Sequence, residues 1–142
     1  MVMQHRDLVL REIQRLARLL ARLIGLKEEG RRAEASALAD EACRELSGLD
    51  SALLTALPDA VFLERIQGKE LKDEQIEMLA DILAVEGEML RQQNGNSELS
   101  RLRFHKAILL LDHLTKVRKQ FSFKREDKIS RLSAWLKEAG TD

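Results

Sequence analysis

Apolar residues recur at steps of three and four along most of this chain, the spacing that places them on one face of an α-helix. In the first such segment, from about Arg6 to Glu29, the stripe consists of Val9, Ile13, Leu16, Leu20 and Leu23. Further apolar residues widen it, so that much of the helix circumference is apolar: Leu10, Ala17, Leu19, Ile24 and Leu26. Gly30 then predicts the end of this helix, because glycine readily adopts the left-handed conformation found after a helix.

Small residues dominate the apolar face of the second predicted helix, which runs from about Arg32 to Leu46. Its core-facing positions are Ala35, Leu38, Ala39, Ala42 and Leu46. An alanine methyl group leaves little between two backbones, so we expect this helix to pack closely against the first one. Gly48 is predicted to end it.

Turn residues divide the remainder of the chain into further helices. We predict a short turn before Pro58, a short helix that Asp59 caps and Gly68 ends, and a long helix from Asp73 to the break at Asn94-Gly95. Two further helices are predicted over about 98–120 and 124–139. The predicted N-cap residues are Asp50 or Ser51, Asp59, Asp73 and Ser97. The "FSF" at 121–123 predicts a break before the last helix.

No segment alternates with period two, so no β-strand is predicted. We therefore expect an all-α fold of antiparallel helical hairpins with a C-terminal amphipathic helix, in a single domain over residues 1–142. Its predicted parts are a first hairpin (1–48), short connecting helices (49–70), a second hairpin (71–121) and the C-terminal helix (122–142).

Two segments of the chain can be aligned without a gap, "GRRAEASALADEA" (30–42) and "GNSELSRLRFHKA" (95–107). The aligned pairs are Gly30 with Gly95, Ala35 with Ser100, Ala39 with Phe104, and Ala42 with Ala107. This order of glycine, small residue, variable residue and alanine resembles the inter-helix turn and second helix of a tetratricopeptide repeat. The resemblance implies stacked helical hairpins, although the copies lie farther apart than standard repeats do.

The run from "RDLVLREIQRLARLLARLIGLKEEG" to "EQIEMLADILAVEGEMLRQQNG" also resembles a family of short, uncharacterised bacterial proteins with a tetratricopeptide-repeat-like fold. The similarity covers about residues 5–115. It implies a helical fold and a bacterial, intracellular origin, and it brings no catalytic residues with it.

Formal charge changes sign along the chain although the whole chain is neutral. Residues 1–27 carry +4, residues 28–98 carry −10, and residues 99–142 carry +6. Such an arrangement favours oriented association with a charged partner or with a second copy. The same distribution of charge would also result if each segment simply had its own solvated face.

Arginines line one face of the first predicted helix: Arg11, Arg15, Arg18 and Arg22. Their spacing keeps them within about 60° of one another around the helix axis. This candidate interaction face, the arginine stripe, has three interpretations. It could be a solvated face with ion pairs inside the chain, a docking surface for an acidic protein including a second copy, or a site for nucleic acid or an anionic membrane surface.

A second basic patch is predicted in "KVRKQFSFKREDK" (116–128), with Lys116, Lys119, Lys124, Arg125 and Lys128. Positive charge beside phenylalanine is suited to single-stranded nucleic acid. Glu126 and Asp127 dilute that charge, and the phenylalanines could equally anchor the last helix in the core.

Residues suited to catalysis or metal binding are sparse. The histidines His5, His105 and His113 have no ligand-like spacing, and no phosphate-binding or nucleophile motif occurs. His113 is predicted to be partly exposed, and Cys43 is predicted to be a buried structural residue. We interpret Glu74, Glu77 and Asp81 as a solvated acidic stripe. We therefore expect no enzyme, cofactor or metal, and an active site assembled around Cys43 and His105 or His113 is the weakest hypothesis.

These observations favour a protein-interaction or scaffold module that forms a homodimer. The alternative is a nucleic-acid-binding accessory protein that uses the basic faces at 11–22 and 116–128. No apolar stretch is long enough to span a membrane, and no signal peptide is evident. With a single cysteine, Cys43, the chain fits a reducing compartment, so we expect a cytoplasmic protein.

Overall fold

Each helix predicted from the sequence is present in the computed structural model, which describes residues 5–95, 97–117 and 122–139. That part of the chain contains no β-strand, so the all-α prediction is confirmed there. The helices are α1 (His5–Glu28), α2 (Arg32–Ser47), α3 (Ser51–Ala56), α4 (Asp59–Gly68), α5 (Asp73–Asn94), α6 (Glu98–Lys116) and α7 (Phe123–Ala139).

The core lies where α5 meets its neighbours. α5 packs most extensively on α6, and it also contacts α1 and α2. The short helices α3 and α4 rest on α6, and α7 covers another side of α6. Within the described residues, the only extensive contacts of α1 are those with α2 and α5.

Left-handed glycines lie at three of the predicted bends. Gly30 follows α1 with φ +74°, Gly48 follows α2 with φ +83°, and Gly95 follows α5 with φ +68°. Side chains with a β-carbon rarely adopt these angles, so glycine is needed there. The predicted helix ends at these positions are confirmed.

Two of the predicted N-caps are confirmed and two are wrong. Asp50 accepts a hydrogen bond from the Leu53 N–H at 2.9 Å, and Ser97 accepts one from the Ser100 N–H at 3.2 Å. Asp59 and Asp73 instead form the first residues of α4 and α5, and their N-cap positions are Pro58 and Lys72.

The alanine face of α2 is buried as predicted. Ala35, Ala39 and Ala42 are fully buried, and Leu46 is nearly so. The aligned positions on α6 are also buried, and they include Ser100, Phe104 and Ala107. The small residues thus place α2 against α1 and α5 with little side-chain volume between the backbones.

α7 docks through a short apolar contact. Leu132 is buried, and the Trp135 ring lies 5.1 Å from the Phe104 ring, centroid to centroid. The predicted break before α7 is confirmed, although α6 ends at Lys116 rather than near 120. Of the two phenylalanines in this segment, Phe121 lies outside the described residues, and Phe123 is 84% exposed and so is not a core anchor.

Candidate interaction surface

The arginine stripe divides into one engaged residue and three exposed ones. Arg15 donates hydrogen bonds to Glu12 and to Glu45 of α2, with Nε 3.2 Å from the Glu12 carboxylate and Nη1 3.3 Å from that of Glu45. These carboxylates raise the pKa of Arg15, and the hydrogen bond from Arg15 lowers the pKa of Glu12. Arg15 therefore connects α1 to α2, as the first of the three interpretations expects.

Arg11, Arg18 and Arg22 point outward, and the structure shows no carboxylate within ion-pair distance of them among the described residues. Three guanidinium groups thus remain along one exposed helix face. Arginine binds carboxylates and phosphates in a bidentate manner, so this face is suited to an anionic surface.

An exposed apolar strip runs beside these arginines. It consists of Leu10, Ala17, Ala21 and Ile24, and we call it the α1 strip. Leu10 is 53% exposed and Ile24 is 36% exposed. The sequence pattern placed three of these residues in a widened core stripe. Packing by α2 and α5 alone leaves that side of α1 uncovered.

The second basic patch does not form one exposed surface. Arg125 is buried, and its Nε lies 2.8 Å from Glu77 of α5. Lys128 lies 2.9 Å from Asp81 and 3.7 Å from Glu77. Two of the five predicted patch residues therefore hold α7 against α5.

The remaining residues of that patch are dispersed. Lys116 pairs with Asp112 one turn earlier on α6 at 2.9 Å, and Lys124 is exposed. Lys119 lies outside the described residues. The hypothesis that this segment binds single-stranded nucleic acid therefore loses Arg125 and Lys128, two of its five basic residues.

The same contacts correct the interpretation of the acidic stripe on α5. Glu74 is exposed as predicted, whereas Glu77 and Asp81 face α7. Burial raises the pKa of Asp81 even though Lys128 opposes that shift. These carboxylates are thus part of the α5–α7 contact and not a solvated face.

A buried polar cluster that the sequence pattern did not indicate joins α3, α5 and α6. The Glu86 carboxylate accepts hydrogen bonds from Arg103 Nε at 2.7 Å and from the Ser51 hydroxyl. The side chains of Glu86 and Arg103 are only 5% and 8% exposed. Ser51 is also held through its N–H, which donates to Asp40 at 3.2 Å. The signal available in the sequence was weak, because a glutamate and an arginine on different helices show no fixed spacing.

A cavity of about 300 Å³ opens beside this cluster between α2, α5 and α6. Its walls include Met89, Leu90 and Ala33, with Arg32 at the rim and Arg103 against Glu86 inside. The ion pair already neutralises Arg103, so the cavity offers little uncompensated charge to a ligand.

Cys43 is buried beside this cluster. Burial raises the pKa of its thiol, and the nearby carboxylates of Glu86 and Asp40 add to that shift. A thiol in this state is a poor nucleophile. The prediction of a buried cysteine is confirmed.

The histidines are placed differently from one another. His113 is buried, so the prediction of partial exposure is wrong. His105 is exposed, and its Nε2 lies 2.8 Å from Asp59, which also binds Lys106 at 2.6 Å. These two basic side chains lower the pKa of Asp59 and occupy the carboxylate that was predicted to cap α4. The side chain of His5 lies outside the part described.

No three His, Cys, Asp or Glu side chains in the described part of the chain converge as metal ligands would. Within the same residues, every helix is too short or too polar to cross a membrane. Comparisons of the chain with models of known protein families, with curated proteins and with solved structures gave no match.

Proposed function

We propose that this chain is a non-enzymatic protein-interaction or scaffold module, and that it binds its protein partner through the outward face of α1. The observation that carries this proposal is that the exposed side of α1 has the α1 strip along one edge and Arg11, Arg18 and Arg22 along the other. Apolar patches with a polar border are typical of protein–protein contacts, where arginine is also enriched. The opposite face of α1 is occupied by the core, so this outward face is available to a partner.

The proposal includes two antiparallel hairpins of the tetratricopeptide-repeat type. Ion pairs between residues at similar distances from a turn support it. Arg15 and Glu45 lie 15 residues before and after Gly30 and form an ion pair. Glu86 and Arg103 lie nine residues before and eight after Gly95 and also form one. Such pairs are expected when two helices run in opposite directions from a tight turn.

Cellular location and origin are part of the same proposal. A single cysteine that is buried and unpaired is consistent with a reducing compartment, and we place the protein in the cytoplasm. Membership of the family of short bacterial proteins remains supported only by the sequence resemblance over about residues 5–115.

Site-specific photo-crosslinking in cells tests the proposed surface. A photoreactive phenylalanine analogue replaces Gln14, an exposed residue between the α1 strip and the arginines, and in a matched control it replaces the exposed Glu64 of α4. We expect a discrete crosslinked protein species from position 14 and none from position 64. Absence of a crosslinked species from position 14, or the same species from both positions, would refute this surface.

Nucleic-acid binding is the second candidate, and the three exposed arginines favour it. It predicts affinity that falls steeply with salt, because released counterions drive such binding. Fluorescence anisotropy with labelled single-stranded and duplex DNA and RNA tests it. Binding at low salt that is lost in the double variant Arg11→Glu/Arg18→Glu would support it, and no binding at low salt would exclude it.

A further inference from the structure

The outward face of α1 has nearly the same order of residue types when it is followed in either direction from Ala17. Leu10 and Ile24 lie seven residues on either side of Ala17, and both are large and apolar. Arg6 and Glu28 lie 11 residues on either side, and they carry opposite charges. All five side chains are exposed, and neither Arg6 nor Glu28 has an ion pair among the described residues.

These residues also lie on one narrow face of the helix. With about 100° between successive residues, the five positions fall within roughly 40° of one another around the axis. Ile13 and Ala21, four residues before and after Ala17, fall near the same line. A straight contact line thus runs along nearly the whole of α1, from a basic end through apolar positions to an acidic end.

A contact line of this kind is complementary to its own reversed copy. When two identical helices pair antiparallel about a two-fold axis, each residue meets the residue equally far from the centre on the other helix. Leu10 would then meet Ile24, Ala17 would meet its own equivalent at the centre, and Ile13 would meet the smaller Ala21. Arginine would meet glutamate at both ends.

We propose that two copies of this chain pair through the α1 strip, antiparallel about a two-fold axis at Ala17. Leu10 of each copy packs on Ile24 of the other, and Arg6 of each copy pairs with Glu28 of the other. This inference rests on the proposed function, because it names a second copy as the partner for that surface. A second copy is favoured over an unrelated acidic helix because the contact line ends in Arg6 on one side and Glu28 on the other, so it carries its own complementary charges.

Packing at the centre of the pair is eased by small side chains. Ala17 faces its own equivalent, with Ala21 beside it, so the two backbones can approach closely. The arginines Arg11, Arg18 and Arg22 lie about 100° or more around the helix from the contact line and stay exposed. In an antiparallel pair they fall on the same side of both copies and form one extended basic surface. Salt screens their mutual repulsion beyond about 8 Å.

Cysteine crosslinking tests the direction and centre of the pair. The variants are Leu10→Cys, Ala17→Cys and Ile24→Cys, and the native protein controls for the buried Cys43. Under mild oxidation we expect Ala17→Cys to form a disulfide-linked dimer by itself. Leu10→Cys and Ile24→Cys should link to each other when mixed but not to themselves, because like positions are about 21 Å apart along the helix.

A self-linked Leu10→Cys dimer as abundant as the mixed product would indicate a parallel pair and overturn the proposal. Equal linking by all three variants would indicate random collision and would also overturn it, as would the absence of any linked species. The substituted side chains are exposed, so the fold does not depend on them.

Charge reversal gives an independent test by sedimentation equilibrium of the whole chain. Arg6→Glu and Glu28→Arg each turn two attractive end pairs into repulsive ones, and we expect each to weaken the dimer about tenfold. The double variant Arg6→Glu/Glu28→Arg restores both pairs and should recover the native dissociation constant. Arg101→Glu, on an exposed position of α6 away from α1, is the matched control and should not weaken the dimer.

Failure of the double variant to recover affinity, or equal weakening by the control, would overturn the pairing. Failure of this inference and failure of the proposed function remain distinguishable. A purified chain that stays monomeric while position 14 still crosslinks to a different protein in cells would overturn the pairing and leave the proposed function in place. Loss of both signals would overturn both.

Discussion

Gly87 allows α5 and α6 to approach each other closely, and replacing it with alanine should destabilise the fold. A β-carbon at this position would lie 2.6 Å and 2.8 Å from two ring carbons of Phe104 and 3.2 Å from the β-carbon of Arg103. Carbon atoms pack best at about 3.5–4.0 Å. One side chain or one helix must therefore move by close to 1 Å.

The surroundings of Phe104 resist that movement. The ring is almost fully buried, and Trp135 of α7 lies against it. Forcing an extra methyl group into a filled core costs about 1–3 kcal/mol. Alanine gains about 0.5–1 kcal/mol over glycine inside a helix. We expect a net loss of about 1–2 kcal/mol in the free energy of unfolding, and a fall in melting temperature of roughly 3–6 °C.

Urea and thermal unfolding followed by far-ultraviolet circular dichroism measure this loss. The matched control is Gly25→Ala in α1, where a β-carbon would meet no atom within 4 Å and only the helix gain of about 0.5–1 kcal/mol applies. The loss should shrink in a Phe104→Leu background. If Gly87→Ala proves as stable as Gly25→Ala, the close approach of α5 and α6 described here is incorrect.

Three further results are expected. Glu86→Gln or Arg103→Met should each lower the free energy of unfolding, measured in urea, by about 3–5 kcal/mol, because each leaves a buried charge without its partner. The double variant Glu86→Leu/Arg103→Met should lose much less, and a loss equal to that of the single variants would contradict this. The pKa of Asp59 is lowered, so its contribution to stability is present above the unfolded-state pKa and is lost as pH falls through the folded-state pKa. Asp59→Asn should therefore flatten the acid side of a plot of stability against pH, and an unchanged slope would contradict this. Cys43 should react with a thiol reagent only at the rate of unfolding, as measured by absorbance with and without urea, and rapid reaction in the native protein would show that it is accessible.

Most of the helices could be predicted because local signals determine them. The alanines of α2 recur at helical spacing, and Gly30, Gly48 and Gly95 interrupt that spacing at the bends. Each signal lies within a few residues of the structure it specifies. The bends at these glycines and the buried face of α2 therefore follow from the sequence alone, whereas the end of α6 and the N-caps of α4 and α5 do not.

The surfaces were harder to predict because they depend on which helices meet. From the sequence alone, Glu77 and Asp81 are predicted to belong to one solvated stripe, and Arg125 and Lys128 to one exposed basic patch. The two groups pair with each other across the contact between α5 and α7. A pattern along one helix shows that a charged face exists, but it does not show the opposite charge on a helix 48 residues away.

The exposure of the α1 strip also depends on which helices meet. Leu10, Ala17 and Ile24 have the spacing of core residues, and the number of helices that pack around α1 decides whether they are covered. Asp59 gives a parallel case at a helix start, where two basic side chains of α6 take the carboxylate that local rules assign to capping.

The bonds made by Glu86 have a consequence for how uniquely the chain folds. Contacts between leucines alone define the alignment of two helices weakly, because a leucine that moves by one turn can meet another leucine. If α6 shifted along α5 by one turn, about 5.4 Å, Arg103 would move away from Glu86. The Glu86 carboxylate would then be buried without its cationic partner, which is energetically costly. Ser51 fixes α3 to the same carboxylate. We expect this glutamate, together with the contact of Phe104 on Gly87, to select the observed alignment of α3, α5 and α6.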